Sequence, residues 1–531
     1  MLKQQFIIFI GFFLLISCQK KIDKTAHLKI FRYNEHANIS SLDPIFARTQ
    51  SNIWAVNQLF NGLVQLDDSL NILPDIAKKW TISDDGKTYV FTLRNDVFFH
   101  KNQCFRTENN TRKVTAYDFL YSFNRLKDDK LASSGRWILQ NVKHFSARND
   151  SIFLFELKEN SPAFLGLLTT KYASVVAREA VDFYGNDFRR NPVGTGAFRF
   201  QFWEENTKLV LQKNPLYYEK DDKNEPLPYL DGISITFLSE KQSEFLQFVQ
   251  GNLDFINAVN ASYKDEILTT QGTLQPKYKD KIQMIKSPYI NTEYLGIVMD
   301  KTDDIATNKQ LREAIHLGFD REKMMKYLRN NIGKPALGGF IPKGLNGFTD
   351  TITKYQPEKS RKIVLDFTKK KQRKPMVTIS TDANYVDVCE YIQRELQSIG
   401  FLCNIDIVPS ATLRQSRATS KLQTFRASWI ADYPDAENYL SLFYSENFAP
   451  NGANYTHFKN ETFDQWYKQA ISENSLEKRV LLYQKMDSLV MQHLPVIPLY
   501  YDENIRFVQK NIQGLTPNPI NLLHLKKVIK E

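Results

Sequence analysis

Apolar residues recur along this chain with two spacings, every second residue in some stretches and every third or fourth in others. The spacing predicts the element. Leu28–Asn34 and Asp150–Lys158 alternate and read as strands. Trp80–Arg94 reads as a hairpin: Asp85-Gly86 supplies the turn, and Tyr89, Phe91 and Leu93 fall on one face. Ser51–Val64 carries Trp54, Leu59 and Leu63 near helical spacing, with Ser51 the expected N-cap. Thr115–Leu126 reads as a helix opened by Thr115 and Asp118, a capping-box variant. Asn308–Leu328 reads as two helices broken near Asp320. Tyr385–Gly400 is amphipathic and stops at glycine, and Phe401–Val408 follows it as a strand. Ser475–Leu494 is a long helix halted at Pro495, and Val496–Tyr501 returns as a strand.

This mixed order predicts an α/β architecture with more than one sheet. Strand-rich material at both ends suggests that the two termini share a domain. No repeat of 20–50 residues is present, which removes solenoids and propellers. Asn191–Trp203 holds Gly194 and Gly196 before an alternating aromatic strand. It lacks the Lys-Ser/Thr of a phosphate loop and leads into a strand, so a tight turn is expected.

The 531 residues suffice for two to four domains. With 42% hydrophobic and 24% charged residues, the composition is that of a globular chain. Net charge is +11, and the one dense basic run, Lys369–Lys374, lies before Pro375 and reads as a solvated loop. Nucleic acid is not an expected partner. The N-terminus adds a compartment. Lys3 precedes the eleven mostly apolar residues Phe6–Ile16, too few to span a bilayer, which needs about 20. Leu15–Cys18 (LISC) then resembles a bacterial lipobox. Residues 1–17 are the expected signal peptide, Cys18 the expected lipidated residue, and 18–27 a tether holding the protein to a membrane outside the cytoplasm. Cys104, Cys389 and Cys403 remain. A Cys389–Cys403 bridge is geometrically open, but buried free thiols are expected.

The familiar catalytic signatures are missing: there is no G-x-S-x-G and no H-E-x-x-H. None of the eight histidines is paired at a metal-ligand spacing. No catalytic residue, metal site or cofactor is expected. Phe425–Leu440 places Asp432, Asp435 and Glu437 beside Trp429, Tyr433 and Tyr439. On the residues alone a catalytic acid, a metal ligand, a counter-ion for a cationic ligand and a capped surface turn all stay open. The counter-ion reading has a physical basis. A carboxylate ending an apolar strand beside aromatic faces receives an ammonium well, and Arg426 offers a planar fork for a carboxylate. One group of each sign suits a zwitterion such as a short peptide.

Several segments in collinear order resemble the extracytoplasmic solute-binding proteins of oligopeptide and dipeptide ABC importers. They are Ser41–Pro44, Leu59–Asp67, Pro74–Asn102, Val114–Leu126, Asn191–Phe200, Asn308–Glu322 and Pro495–Tyr501. Arg426–Asp435 (RASWIADYPD) resembles the family's R-A-G-W-x-A-D-Y segment. The resemblance implies a three-domain, periplasmic-binding-protein-like (type II) α/β fold with the ligand cleft between domains I and III. It places domain I at 28–60, 191–286 and 495–531, domain II at 61–190 and domain III at 287–494. By the same resemblance Asp432 anchors a peptide's α-amino group, Trp429 lines a side-chain pocket, and Arg426 lies near the carboxyl end. Ser428 stands where a small glycine approaches the ligand, and Tyr433 completes the segment. The implied protein is a monomeric receptor, not an enzyme, that hands short peptides to an importer's permease and ATPase subunits. Binding of another solute, such as a metal chelate or sugar, an exported hydrolase, and a signalling receptor are the alternatives.

Overall fold

The computed structural model describes residues 28–258, 260, 262–350 and 353–531. Cys18, the signal peptide and the tether lie outside the described residues. An 11-stranded sheet runs through the molecule. From one edge its strands are Leu402–Ile407, Met376–Thr381, Thr424–Ile430, Ile282–Ile297 and Val496–Gln509. The order continues through Phe255–Asn257, Ile30–Asn34, Gly232–Thr236, Lys208–Lys213 and Phe198–Glu204, and the two-residue strand Lys334–Pro335, off this path, pairs with Val496–Gln509 as the eleventh. The first strand and the returning C-terminal strand therefore lie in one sheet, separated only by Phe255–Asn257.

Two strands are unusually long, Ile282–Ile297 with 16 residues and Val496–Gln509 with 14. At one end Ile282–Pro288 pairs with Glu503–Gln509, in the lobe that holds the first strand. At the other, Thr292–Gly296 pairs with Val496–Tyr501, in the lobe that holds Met376–Thr381. The register breaks between Pro288 and Thr292, so the crossing is bulged where the lobes meet. Val496–Tyr501 alone was legible as a strand, because Asp502, Glu503 and Asn504 end the apolar run while the ladder continues to Gln509.

A separate four-stranded antiparallel sheet has the order Ala77–Ile82, Thr88–Leu93, Ile152–Leu157, Val142–Asn149. Tyr89, Phe91 and Leu93 are buried as their alternation requires. The helix Ala116–Lys127 covers this sheet with Phe119 and Phe123, and the Phe123 and Phe155 rings meet edge to face at 4.9 Å. Its capping box forms, with the Thr115 N–H donating to Asp118 Oδ2 at 2.8 Å.

Two local expectations change. The helix Gln50–Leu59 is capped by Thr49, whose Oγ1 accepts from the Asn52 N–H, while Ser51 is buried in the first turn. The basic run is not a loop throughout. Lys369–Lys371 form the last turn of the helix Pro357–Lys371, where cations oppose the helix dipole's negative end. Cys104, Cys389 and Cys403 are free and buried.

The Gly194–Gly196 turn joins the sheet to the end of the helix Gln50–Leu59. A Cβ on Gly194 would lie 2.0 Å from the Leu59 carbonyl oxygen, and one on Gly196 would lie 2.3 Å from that of Gln58, so only glycine admits this approach. His100 pins the turn. Its Nδ1 accepts from the Gly194 N–H at 3.2 Å, and its Nε2 donates to the Gly196 carbonyl at 3.0 Å. Burial pulls its pKa from 6.5 down to about 4, against the hydrogen bond to Gly196. The unfolded chain then takes up the proton first, so this group's stabilisation is complete above about pH 6.5 and is lost as pH falls toward about 4. Denaturant titrations across that window should show a shallower acid loss in His100→Gln than in the parent.

Candidate functional site

The strand Thr424–Ile430 runs next to Ile282–Ile297 and ends at the junction of the lobes. Asp432 follows it. Its carboxylate is accessible, yet that access opens into two cavities. One, of about 300 Å³, lies between the lobes and is lined by Trp54, Asn57, Lys171, Tyr289, Asp432 and Lys526 among others. The other, of about 910 Å³, is walled by Trp137, Asn160, Trp429, Tyr433, Asn438 and Tyr467 among others. The two volumes span the range of about 300–1,000 Å³ usual for small-ligand sites. Burial holds the Asp432 carboxyl above the usual Asp range, and the Asn438 side chain works in the opposite direction.

The three clustered carboxylates have different fates. Asp435 accepts from Tyr483 Oη at 2.7 Å and pairs with Arg479 at 3.3 Å. Glu437 accepts from the hydroxyls of both Tyr433 and Tyr467. Its pKa is raised by burial, partly offset by those two bonds. Both therefore serve the fold. Asp432 has no ion-pair partner among the described residues. Asn438, unmarked by any pattern in the chain, organises this corner. Its Oδ1 accepts from Trp429 Nε1 at 2.9 Å and from the Asp432 N–H at 3.3 Å.

Trp429 and Tyr433 stand in the wall of the larger cavity, but the Tyr433 hydroxyl is engaged with Glu437 and its ring lies against Trp137, centroids 6.2 Å apart. Ser428 and Arg426 line neither cavity. Ser428 faces Glu293 in the sheet register. The Arg426 guanidinium pairs with Glu293 beneath the Tyr385 ring, and both members are buried. Arg426, expected at a ligand's carboxyl end, thus already has a buried counter-ion in Glu293. Burial alone would lower the Arg426 pKa; Glu293 and Tyr385 outweigh it and raise it.

Asn160 links the lobes across the larger cavity, its Nδ2 donating to the Ser472 carbonyl and to Asn474 Oδ1, both at 2.8 Å. A Ser–His–Asp series also occurs. Asp300 Oδ2 lies 2.7 Å from His457 Nδ1, and Ser420 Oγ lies 2.9 Å from Nε2. The Ala449 carbonyl, however, is also 2.9 Å from Nε2. Nε2 is thus shared between the Ser420 hydroxyl and a backbone carbonyl. None of the three lines either cavity, and the arrangement works as a clasp between loops. Among the described residues no group of three or more His, Cys, Asp or Glu side chains is placed to hold a metal ion, and no helix is long and apolar enough to cross a membrane.

Residues 71–451 match the model of the bacterial extracellular solute-binding proteins, family 5. The chain belongs to that family. Its family-5 relatives include the dipeptide-binding protein DppE of Bacillus subtilis, 24% identical over 95% of this chain and 92% of that one. Two solved structures share the fold. The Helicobacter pylori periplasmic binding protein DppA, in complex with the peptide STSA, has a TM-score of 0.78 at 22% identity, covering 94% of this chain and 98% of that one. The dipeptide binding protein of Pseudoalteromonas sp. SM9913, in complex with Met-Leu, also reaches 0.78 at 21% identity, covering 94% and 100%. The mixed α/β architecture, with its cleft between two lobes, is that of the periplasmic peptide-binding proteins.

Proposed function

We propose that this family-5 protein is a lipid-anchored, extracytoplasmic receptor that captures short peptides and delivers them to an ABC importer through its permease and ATPase subunits. The observation that carries this reading is the unpaired, walled-in Asp432 carboxylate. A carboxylate that faces a cleft between lobes without a partner loses part of its hydration when the cleft closes. A peptide's α-ammonium arriving in the cleft supplies the partner and is itself held by a charge-assisted bond. Trp429 and Tyr433 give the adjoining pocket aromatic walls. Arg426 is assigned to holding Glu293, and Ser428 to the strand behind the pocket. The three-domain division stated above completes the proposal, with the bulged pair of long strands as the hinge and Cys18 as the anchor.

Capture needs no bond-breaking. The ligand favours the closed form by its differential affinity for it. What the relatives are named for binding supports peptides over metal chelates or sugars, and the Ser420–His457–Asp300 series lies outside both cavities. Mass spectrometry of material co-purified from native cells, followed by calorimetry with synthetic dipeptides, tests the reading. Intact peptide at about one equivalent is the expected result. Cleaved peptide, or a non-peptide solute that peptides do not displace, would overturn it.

A further inference from the structure

The smaller cavity holds Asp432 on one wall and four basic side chains elsewhere: Arg48, Lys171, His524 and Lys526. Two of these are matched. Lys526 Nζ contacts Glu219 at 2.6 Å, and His524 Nδ1 lies 2.9 Å from Asp68. Arg48 is exposed. Lys171 differs from all three. It begins the short 3-10 turn Lys171–Ala173, held by the lobe that carries the four-stranded sheet. No described residue accepts a hydrogen bond from its ammonium or pairs with it.

Asp75, the carboxylate whose charge reaches Lys171, is already satisfied. Its Oδ1 accepts from Asn61 Nδ2 at 3.1 Å and from the Tyr218 hydroxyl, and its Oδ2 accepts from the Gly62 N–H at 3.2 Å. Asp75 therefore acts on Lys171 through space without direct contact. The cavity thus presents one unpaired carboxylate and one half-buried, unpaired ammonium. Arg426, the other residue suited to an anion, is closed off by Glu293.

We propose that Lys171 is the anion-recognition residue of the interlobe cavity, so that the preferred ligands carry a carboxylate placed against Lys171 as well as an ammonium placed at Asp432. This deepens the peptide-receptor reading and rests on it. The carboxylate is the peptide's own terminus or an acidic side chain; the chemistry at Lys171 is the same for both. Desolvation lowers the Lys171 pKa to about 8, against the pull of Asp75, with Lys526 adding a like charge. His524, whose own pKa burial lowers from 6.5, is the third titratable neighbour. A ligand carboxylate restores the charged form that burial disfavours, so it contributes most where the free protein is least comfortable.

The experiment is calorimetry on the full chain and on Lys171→Gln and Lys171→Arg, with Ala-Leu, Ala-Leu-amide and Ala-Glu-amide as probes. The parent should bind Ala-Leu or Ala-Glu-amide about tenfold or more tightly than Ala-Leu-amide, and whichever acid wins identifies the carboxylate. Lys171→Gln should bring the three probes within about twofold of one another, while Lys171→Arg should keep the parent's preference. Raising pH through about 8 should weaken acid binding more in the parent than in Lys171→Arg, whose guanidinium does not titrate there. The peptide amine titrates equally in both proteins, so the difference isolates Lys171. An unaltered acid preference in folded Lys171→Gln would overturn the assignment and leave the peptide reading standing. So would the absence of any acid preference in the parent. If no dipeptide of a broader panel binds the parent, the peptide reading falls and this proposal falls with it.

Discussion

Asp432→Ala is expected to weaken peptide binding by roughly 2–5 kcal/mol, the cost of leaving a buried ammonium without its counter-charge. At about 1.4 kcal/mol per decade, a micromolar ligand would fall to the edge of detection. A cycle makes the cause explicit. N-acetylation of the peptide removes the same charge from the other side, so acetylated peptide should bind the parent as weakly as free peptide binds the variant. Combining both changes should cost little more than either one. Asp432→Asn keeps the shape and the backbone bond to Asn438, so it should reproduce most of the loss. Calorimetry with a free and an acetylated peptide decides: equal affinity of parent and Asp432→Ala for the free peptide would sink the assignment. The neighbouring carboxylates provide the control, since Asp435 and Glu437 are engaged by Tyr483, Arg479, Tyr433 and Tyr467 and should register as stability effects first.

The second large effect concerns stability. Glu293→Leu is expected to destabilise the fold by about 3–5 kcal/mol, because it strands the Arg426 guanidinium in a buried place. Glu293 itself is held above the usual Glu range by burial, with Arg426 pulling it down and Asp502 pushing it up. The pair sits on adjacent strands at the junction of the lobes, with Arg329–Asp502 at 3.1 Å close by. Replacing both members, Glu293→Leu with Arg426→Leu, should recover most of the loss, since the desolvation of two ions disappears with their attraction. Denaturant unfolding of the four proteins in the cycle measures the coupling. A double variant as unstable as Glu293→Leu alone would show that the pair does not act as a unit.

Local chemistry was largely readable in the chain. The Asp85-Gly86 hairpin, the Thr115/Asp118 box and the break before the Asp320 cap each rest on residues a few positions apart, and each forms. The N-cap at Thr49 was missed because two hydroxyls two residues apart satisfy the same pattern, and only packing decides between them. The length of the crossing strands was hidden because polar residues such as Asp502 and Glu503 sit where the ladder passes from one lobe to the other. The site divides in the same way. Asp432 stands out as a carboxylate closing an apolar strand. Lys171 carries no mark at all in its own segment, since its significance comes from a wall that Asp432 and Lys526 complete from more than two hundred residues away. The preoccupation of Arg426 was equally invisible, because Glu293 is its neighbour only through strand pairing.

The floor of the smaller cavity has a consequence for biogenesis. Asn521, Leu522, His524, Leu525 and Lys526 line it, and the helix Gln50–Leu59 is fastened to this segment by Trp54 Nε1 donating to the Asn521 carbonyl at 2.7 Å. These residues are made more than four hundred positions after that helix. A nascent chain can assemble the four-stranded sheet early, since domains fold as units during synthesis. It cannot enclose cargo until residues 521–526 have threaded back beneath a helix made more than four hundred residues earlier, so retention of a guest begins only after that segment has been made.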